Sequence, residues 1–373
     1  MDFTFNFIAF FLSLAFVLTL CKKWKRYKAA EKLPPSPWKL PIIGNMHHLI
    51  GSIPHHAFRK LSQKHGPLLH LQLGEISSII VSSPRLAKEV MKTHDLAFAS
   101  RAEFLGTKIV RYNCSDIVSS PYGEYWRQMR KICTLEIFSA KSVRSFGSIR
   151  KDEAMHLIAA IHDLAAAQEP INLAEKLFSY TSSVLCRVAF GKLSKNQQSA
   201  FVQLNNESVL LFSAFDISDL FPSLKILHPF LSMKTKLVKI HHKMDLLLEN
   251  IIDQHIDNLA RTKMATGESG IKDLIDVLLR VKENGDLQIP ITKNNIKAVV
   301  LDIFSGGTET SSGTVEWAMS EMIRNPTVMA KAQSEIRKAF TGKKTIEETD
   351  IQDLRYLKLV IKETLRLHPP VPL

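Results

Sequence analysis

Residues 295–324 constrain the fold most, because they read as a single long helix with two glycines at its centre. Its small and apolar positions recur every three or four residues, which places them on one face of an α-helix: Val299, Ile303, Gly306, Thr310, Gly313 and Trp317. A polar stripe that includes Asp302 and Glu309 runs beside this face. Thirty residues would form a rod of roughly 45 Å, long enough to cross a large domain.

The centre of this helix, SGGTETS at residues 305–311, is poor helix-forming sequence. Gly306 and Gly307 each cost about 1 kcal/mol relative to alanine in a helix interior, and the nearby hydroxyl groups compete for backbone hydrogen bonds. One interpretation is a functional site, where the glycines admit a flat, bulky group and Thr310 points its hydroxyl at it. The other is a kinked core helix with a solvated Glu309.

Size and composition indicate a globular protein. The chain has 373 residues, of which 45% are hydrophobic, so it can form a sizeable core in one large domain or two ordinary ones. The net charge is +13, but basic residues cluster at residues 22–28, which favours a membrane surface and no nucleic-acid partner. Four cysteines without a CxxC pair indicate neither a zinc site nor a disulfide framework, as is typical of a reducing compartment.

The amino terminus resembles a membrane anchor. Residues 3–20 are almost wholly apolar, about the minimum length that spans a bilayer, and the positive charges follow them. We predict a transmembrane signal anchor at residues 1–21, a basic and proline-rich hinge at residues 22–45, and a cytosolic body at residues 46–373. A cleaved signal peptide is the alternative.

The body is predicted to be mainly α with a small β-sheet, an α+β fold. Two β-prone runs, 68–73 and 76–82, flank Gly74 and Glu75 and predict a hairpin. Helical patterns cover residues 85–93, 124–135, 148–167, 173–190, 237–261, 271–282, 295–324 and 326–340. The segment 212–230 is more apolar than a solvated loop, so it belongs either to the core or to a membrane-resting entrance for an apolar substrate.

Two short motifs carry further polar groups. Trp126 and Arg130 lie four residues apart on one helical face, which suits either a carboxylate of a large cofactor or an arginine packed on an indole at the surface. Glu363 and Arg366 lie three residues apart, a spacing that taken alone is typical of a modest surface ion pair.

Taken together and in this order, these motifs resemble the cytochromes P-450, the haem-thiolate monooxygenases. The resemblance covers the whole chain and includes LPPSPWKLPIIGN, WRQMR, SGGTETS and KETLRLHPP. The phrases FASR and PYGEYWRQMRKIC are similar to the plant microsomal branch, and most similar to its terpenoid hydroxylases. The resemblance implies the cytochrome P-450 fold, haem b, O2, electrons from NADPH through NADPH-cytochrome P-450 reductase, and attachment to the lipid bilayer of the endoplasmic reticulum.

The resemblance also assigns roles to individual residues. Glu309 and Thr310 would be the acid and alcohol of oxygen activation, with Thr310 donating a hydrogen bond to dioxygen and Glu309 relaying protons. The other cofactor and structural roles fall on residues that the motifs contain: Trp126, Arg130 and Arg101 for a haem propionate, Gly306 and Gly307 for the distal haem face, and Glu363 and Arg366 for a buried structural network.

The substrate pocket would be formed by the stretches 104–120 and 201–215 and by the last residues of the chain. The candidate lining residues are Phe104, Ile117, Phe212, Ile303 and Val371. Their apolar side chains agree with a small apolar substrate, and a sesquiterpene or monoterpene is preferred over an alkaloid or a phenolic compound.

The family's axial cysteine lies in a loop resembling FxxGxRxCxG, which does not occur in these 373 residues. None of Cys21, Cys114, Cys133 and Cys186 has that context, so no metal ligand is predicted and the fold is expected to be truncated at its carboxyl end. Without this thiolate, the 373 residues as written are expected to be inactive as a monooxygenase. Two function classes therefore stay open: an incomplete monooxygenase, active in its complete form, or a non-catalytic truncated membrane protein.

Overall fold

The computed structural model describes residues 33–212, 216–224, 233–266, 273–285, 287–343 and 346–372. The chain forms two compact units, residues 1–88 and residues 89–373. The predicted anchor at residues 1–21 lies outside the described residues. Within the described ranges, no helix combines the length and apolar character that crossing a membrane requires.

The first unit contains the small sheet. Its elements are a 3-10 turn at Met46–His48, α1 at Pro54–His65, β1 at Leu68–Leu73, β2 at Ile76–Val81 and α2 at Pro84–Lys88. The two strands pair antiparallel, with Leu68 opposite Val81 and Leu73 opposite Ile76. The hairpin prediction is therefore confirmed, and β1 is buried on both faces, with Leu69 and Leu71 on one and His70 and Gln72 on the other.

A hinge was predicted at residues 22–45, but residues 35–45 are hydrogen-bonded to this sheet. The backbone N-H of His70 donates to the carbonyl of Pro35 over 2.9 Å, and that of Gln72 donates to the Asn45 side chain over 2.8 Å. Gly44 has a φ of +62°, and a Cβ there would overlap the Gln72 carbonyl, so glycine is required at this close approach. This part of the predicted hinge belongs to the folded unit.

The second unit is helical. It begins with a π-helical turn at Glu89–Thr93, and a second π turn, Cys133–Ile137, continues α5. The helices are α3 (Asp95–Phe98), α4 (Leu105–Val110), α5 (Glu124–Ile132), α6 (Ala140–Ser145), α7 (Gly147–Ala166), α8 (Leu173–Phe190), α9 (Lys195–Phe212), α10 (Ile217–Leu220), α11 (Lys234–Thr266), α12 (Leu274–Asn284), α13 (Lys293–Arg324), α14 (Pro326–Ala339) and α15 (Arg355–Leu367). The mainly α character with a small sheet is confirmed, although α1, α9 and α15 and the short helices α3, α4, α6 and α10 were not among the predicted ranges.

The central helix α13 is α-helical over its whole length, including the glycine-rich centre. It begins two residues before the predicted start, where Thr292 and Asn295 form a reciprocal capping box. The hydroxyls of Thr308 and Ser312 donate to the carbonyls one turn earlier, over 2.7 and 3.0 Å. Both hydroxyl groups therefore have acceptors within the helix, and they do not interrupt its backbone hydrogen bonds.

The hydrophobic core lies between α13 and the helices packed on one of its faces. The ring of Phe201 on α9 meets those of Phe190 on α8 and Phe304 on α13 edge to face, with both centroid separations 4.7 Å. All three side chains are almost completely buried. Phe201 was predicted to begin a stretch that lines the substrate pocket, but it belongs to this core.

Candidate active site

The other face of α13 is open, and it carries the two predicted catalytic residues. A Cβ added to Gly306 or to Gly313 would meet no heavy atom within 4 Å. Glu309 is exposed, while Thr310 is half-buried and its hydroxyl donates to the carbonyl of Gly306. The structure thus places Gly306, Glu309 and Thr310 together along one unobstructed face, and their catalytic roles stay predictions.

Gly307 belongs to the closed face instead. A Cβ at this position would lie 2.8 Å from Cδ1 of Leu185 on α8, closer than carbon atoms can pack. Glycine here allows α8 to approach α13. Gly306 and Gly307 therefore have different surroundings, because a step of one residue turns the side chain by about 100° around the helix, and the predicted role of Gly307 towards the cofactor stays a prediction.

Trp126 lies between the two arginines that were predicted to accompany it. The Cζ atoms of Arg101 and Arg130 are 5.4 and 5.0 Å from its ring centroid. The indole Nε1 donates to the carbonyl of Ile117 over 3.0 Å, and Arg101 Nη1 donates to the carbonyl of Ala99 over 2.5 Å. The structure brings the predicted propionate group together, although the indole N-H contacts the chain itself here.

These residues fit one side and the edge of a haem. The space over Gly306 and Gly313 admits a flat ring against the helix backbone. The exposed guanidinium groups of Arg101 and Arg130 are suitable partners for its two propionate carboxylates.

The described cysteines do not supply an axial thiolate. Cys114, Cys133 and Cys186 are buried. Burial raises the pKa of Cys186 to about 12, and burial together with the nearby charge of Asp302 raises the pKa of Cys133 to about 12. Burial also raises the pKa of Cys114. These groups are therefore neutral thiols at neutral pH, as expected from their sequence context, while Cys21 lies outside the described residues.

A buried carboxylate on α13 was not assigned any role from the sequence. Asp302 Oδ2 accepts hydrogen bonds from the backbone N-H groups of Ile117 and Val118, over 2.8 and 3.1 Å. Burial, followed by the negative charge of Asp116, raises the pKa of Asp302 well above its ordinary value. The only sequence signal was an acid in the polar stripe one turn before Gly306.

The predicted substrate-lining residues do not share one environment. Ile117 and Ile303 are partly buried and pack against the hydrophobic core. Phe104 is 38% exposed and Val371 is 70% exposed. The Phe212 side chain lies outside the described residues.

The predicted pair of Glu363 and Arg366 is present, with Nη2 to Oε1 and Nε to Oε2 separations of 2.6 and 2.8 Å. Their side chains are 56% and 66% exposed, however. In the described residues the geometry is that of a surface ion pair within one helix turn, and the structural role stays a prediction.

A cleft of about 540 Å³ lies elsewhere, between α5 and α12. It is lined by Arg127, Lys131, Leu135 and Val281 among others, and it includes neither Glu309 nor Thr310. It is therefore distinct from the candidate active site.

Comparisons with known proteins identify the family. The family model for cytochrome P450 matches residues 34–373. Premnaspirodiene oxygenase from Hyoscyamus muticus is 55% identical over 370 residues, covering 99% of this chain and 73% of the relative. A 5-epiaristolochene 1,3-dihydroxylase from Nicotiana tabacum is 51% identical over 370 residues, with coverage of 99% and 73%.

A solved zebrafish cytochrome P450 with progesterone matches with a TM-score of 0.71 at 22% identity, covering 85% of this chain and 72% of that chain. At this identity the match shows the fold alone. The family model and the high identity to plant oxygenases go further and imply haem iron as the cofactor, with electrons supplied by a reductase. The chain therefore belongs to the cytochrome P450 family of haem monooxygenases.

Proposed function

We propose that the protein hydroxylates a small apolar terpenoid, a sesquiterpene or a monoterpene, using O2 and electrons from NADPH-cytochrome P450 reductase. The observation that carries the proposal is the open face of α13, where a Cβ on Gly306 would meet no heavy atom within 4 Å and where Glu309 and Thr310 also lie. The similarity to enzymes named for premnaspirodiene and 5-epiaristolochene supports this substrate class.

Bound haem supplies the oxidation chemistry, and the protein supplies position and protons. Gly306 leaves room above the helix backbone, and Arg101 and Arg130 bind carboxylates at the edge. The Thr310 hydroxyl, which donates to the Gly306 carbonyl, would supply a hydrogen-bond donor for dioxygen on this face. The exposed carboxylate of Glu309 would take protons from solvent and hold them beside Thr310.

The proposed location is the endoplasmic reticulum membrane, with a single span at residues 1–21 and the body in the cytosol. The positive charges at residues 22–28 support this orientation. Asn113, an exposed residue within the sequon Asn113-Cys114-Ser115, provides a test. We expect no glycan there in cells, and a mass shift on deglycosylation that Asn113→Gln abolishes would place the body in the lumen instead.

The catalytic role is tested with Thr310→Ala in the haem-loaded enzyme. Product formed per NADPH consumed should fall several-fold, because oxygen activation loses its hydroxyl donor while electron uptake continues. Ser320→Ala is the matched control, since Ser320 is on the same helix and also donates to the carbonyl one turn earlier, over 2.9 Å. Unchanged coupling in Thr310→Ala would remove the assigned role.

The substrate class is tested separately with panels of sesquiterpenes, monoterpenes, alkaloids and phenolic compounds. Spectral binding and turnover should favour the terpenes. Turnover of an alkaloid or a phenolic compound alone would overturn the substrate class without affecting the monooxygenase assignment. A purified protein that takes up no haem would instead support the non-catalytic alternative.

A further inference from the structure

Residues 112–114, which follow α4, form a left-handed turn of three consecutive residues, none of which is glycine. The φ angles of Tyr112, Asn113 and Cys114 are +49°, +59° and +56°. Residues that carry a Cβ disfavour this conformation, and they adopt it singly far more often than in succession. The turn therefore holds backbone strain, which persists only where surrounding contacts fix it.

The turn is fixed by a hydrogen bond to α11. The hydroxyl of Tyr112 donates to Oδ1 of Asp245 over 2.9 Å, and its ring meets that of His241 edge to face, with the centroids 4.7 Å apart. Burial, followed by the negative charge of Asp245, raises the pKa of Tyr112. The phenol therefore stays protonated at neutral pH and remains a hydrogen-bond donor.

The acceptor of this hydrogen bond is itself held by α13. Lys297 is 2% exposed, and its Nζ lies 2.6 Å from the same Asp245 oxygen and 2.5 Å from Oε2 of Glu249. Both carboxylates belong to α11, so separating α11 from α13 would deprive a buried ammonium group of both. Tyr112, Asp245 and Lys297 thus form a chain of polar contacts, the latch, which joins the strained turn to two long helices.

Two backbone hydrogen bonds connect the turn to α4 and depend on its left-handed form. The N-H of Asn113 donates to the carbonyl of Lys108 over 2.8 Å, and the N-H of Ser115 donates to that of Arg111 over 2.9 Å. Relaxation of the turn to negative φ would redirect both N-H groups. The exchange of these two amides with solvent therefore reports whether the turn is formed.

We propose that residues 112–114 are a conformational switch, a strained turn that the latch holds in its left-handed form and that relaxes when α11 moves away from α13. The strain and the latch oppose each other, so the segment has two discrete states, latched and released. The position of α11 on α13 is thereby transmitted to the end of α4. This switch is a property of the fold and does not depend on the function proposed above.

The latch is tested by hydrogen exchange at residues 110–116 in the haem-loaded protein. Tyr112→Phe removes the hydroxyl that donates to Asp245, and the amides of Asn113 and Ser115 should then exchange about tenfold faster or more. Tyr180→Phe, which removes the hydroxyl of a half-buried tyrosine on α8, is the matched control and should leave both rates unchanged. Unchanged exchange in Tyr112→Phe would overturn the proposal.

The strain is tested at Asn113, whose side chain is exposed, so that substitutions there act mainly on the backbone preference. Glycine adopts positive φ readily, whereas a β-branched residue resists it. Relative to the free peptides, exchange should be about threefold slower in Asn113→Gly and about tenfold faster in Asn113→Val. Asn113→Gly should also restore part of the protection that Tyr112→Phe removes. Equal exchange in the two Asn113 variants would show that the turn is unstrained.

Gln168 provides the control for left-handed backbone elsewhere, since it is exposed and has a φ of +56° after α7. Gln168→Gly and Gln168→Val should leave exchange at residues 110–116 unchanged. A double-mutant cycle then tests whether the latch acts as one unit. Asp245→Asn should add little to the effect of Tyr112→Phe, and full additivity would show that the two side chains do not act through one contact.

Discussion

Gly306 and Gly307 are adjacent in α13, yet they stand on faces of different construction. A Cβ on Gly307 would meet Leu185 Cδ1 at 2.8 Å, whereas a Cβ on Gly306 would meet nothing within 4 Å. The closed face is filled by side chains from α8 and α9, and the open face carries Glu309 and Thr310. Glycine therefore allows two helices to pack closely at position 307, whereas at position 306 it leaves the helix backbone open.

The residues on the two faces of α13 should therefore determine different properties: those on the closed face determine stability, and those on the open face determine activity. Substitutions on the closed face change packed volume, so they should alter the free energy of unfolding. Substitutions on the open face remove few contacts, so they should alter activity with little effect on folding. The following predictions test this separation, beginning with the largest expected effect.

Phe304→Ala should lower the free energy of unfolding by about 3–5 kcal/mol, because it removes a ring that is 1% exposed and packed against Phe201. Val315→Ala, at a side chain that is 46% exposed on the same helix, should change it by about 0.5 kcal/mol or less. Chemical denaturation of both variants measures the difference. Equal losses would show that burial does not decide the cost of a substitution on this helix.

Gly307→Val should destabilise the protein by about 1–3 kcal/mol, since Leu185 and α8 must move to admit the side chain. Gly306→Val places the same group in open space and should leave the unfolding midpoint nearly unchanged. Its effect should appear as reduced haem content or substrate binding. A reversed order of stabilities would show that the faces are misassigned.

Stability should also depend on pH through Asp302, at the border of the two faces. Its pKa is raised in the folded state, so the folded state binds this proton more tightly than the unfolded state does. The contribution is present below the ordinary aspartate pKa and is lost as pH rises through the raised value, by at most about 1.4 kcal/mol per pH unit.

Asp302→Asn should flatten this dependence in denaturation measured between pH 4 and 8, whereas Glu316→Gln should not. The groups that face Asp302 are Asp116, Arg111, Tyr125 and Cys133. A slope that is unchanged in Asp302→Asn would show that other titrating groups carry the pH dependence.

Trp317→Ala should have a smaller effect on stability than Phe304→Ala or Gly307→Val. This side chain is 46% exposed on α13, and its ring stacks on His368 with a centroid separation of 3.9 Å. Loss of the stack should lower the free energy of unfolding by about 0.5–1.5 kcal/mol. His368→Ala should cost a similar amount, and the double variant should cost less than the sum; strict additivity would show that the rings do not stabilise each other.

Sequence periodicity predicted α13, the hairpin and most of the helices, because each has a regular apolar pattern. It did not reveal α9, whose apolar positions were assigned to a pocket, and it could not show which neighbour covers Gly307. That information resides in Leu185, more than a hundred residues away along the chain. Local patterns determine an element, but its partner decides which face is closed.

In the candidate site, too, the sequence predicted some features and missed those that depend on tertiary contacts. Motif resemblance brought Trp126, Arg101 and Arg130 into one cluster, and the structure places them together. It did not identify Asp302, because the hydrogen bonds of that carboxylate go to backbone groups, which have no sequence signature. It also could not show that Ile117 packs against the core while Val118 is exposed, since two adjacent apolar residues in a loop give no sign of which one turns inward.

Asp302 binds the main chain of residues 117 and 118, and this has a consequence for protein engineering. Every amino acid except proline offers the same N-H group, so a library of variants at position 118 keeps the anchor whatever side chain it introduces. Diversity at that position can then be sampled on a constant backbone. Proline lacks this N-H group, so proline variants at position 117 or 118 should be depleted from the library after selection. Their depletion would show that the hydrogen bonds to Asp302 are required.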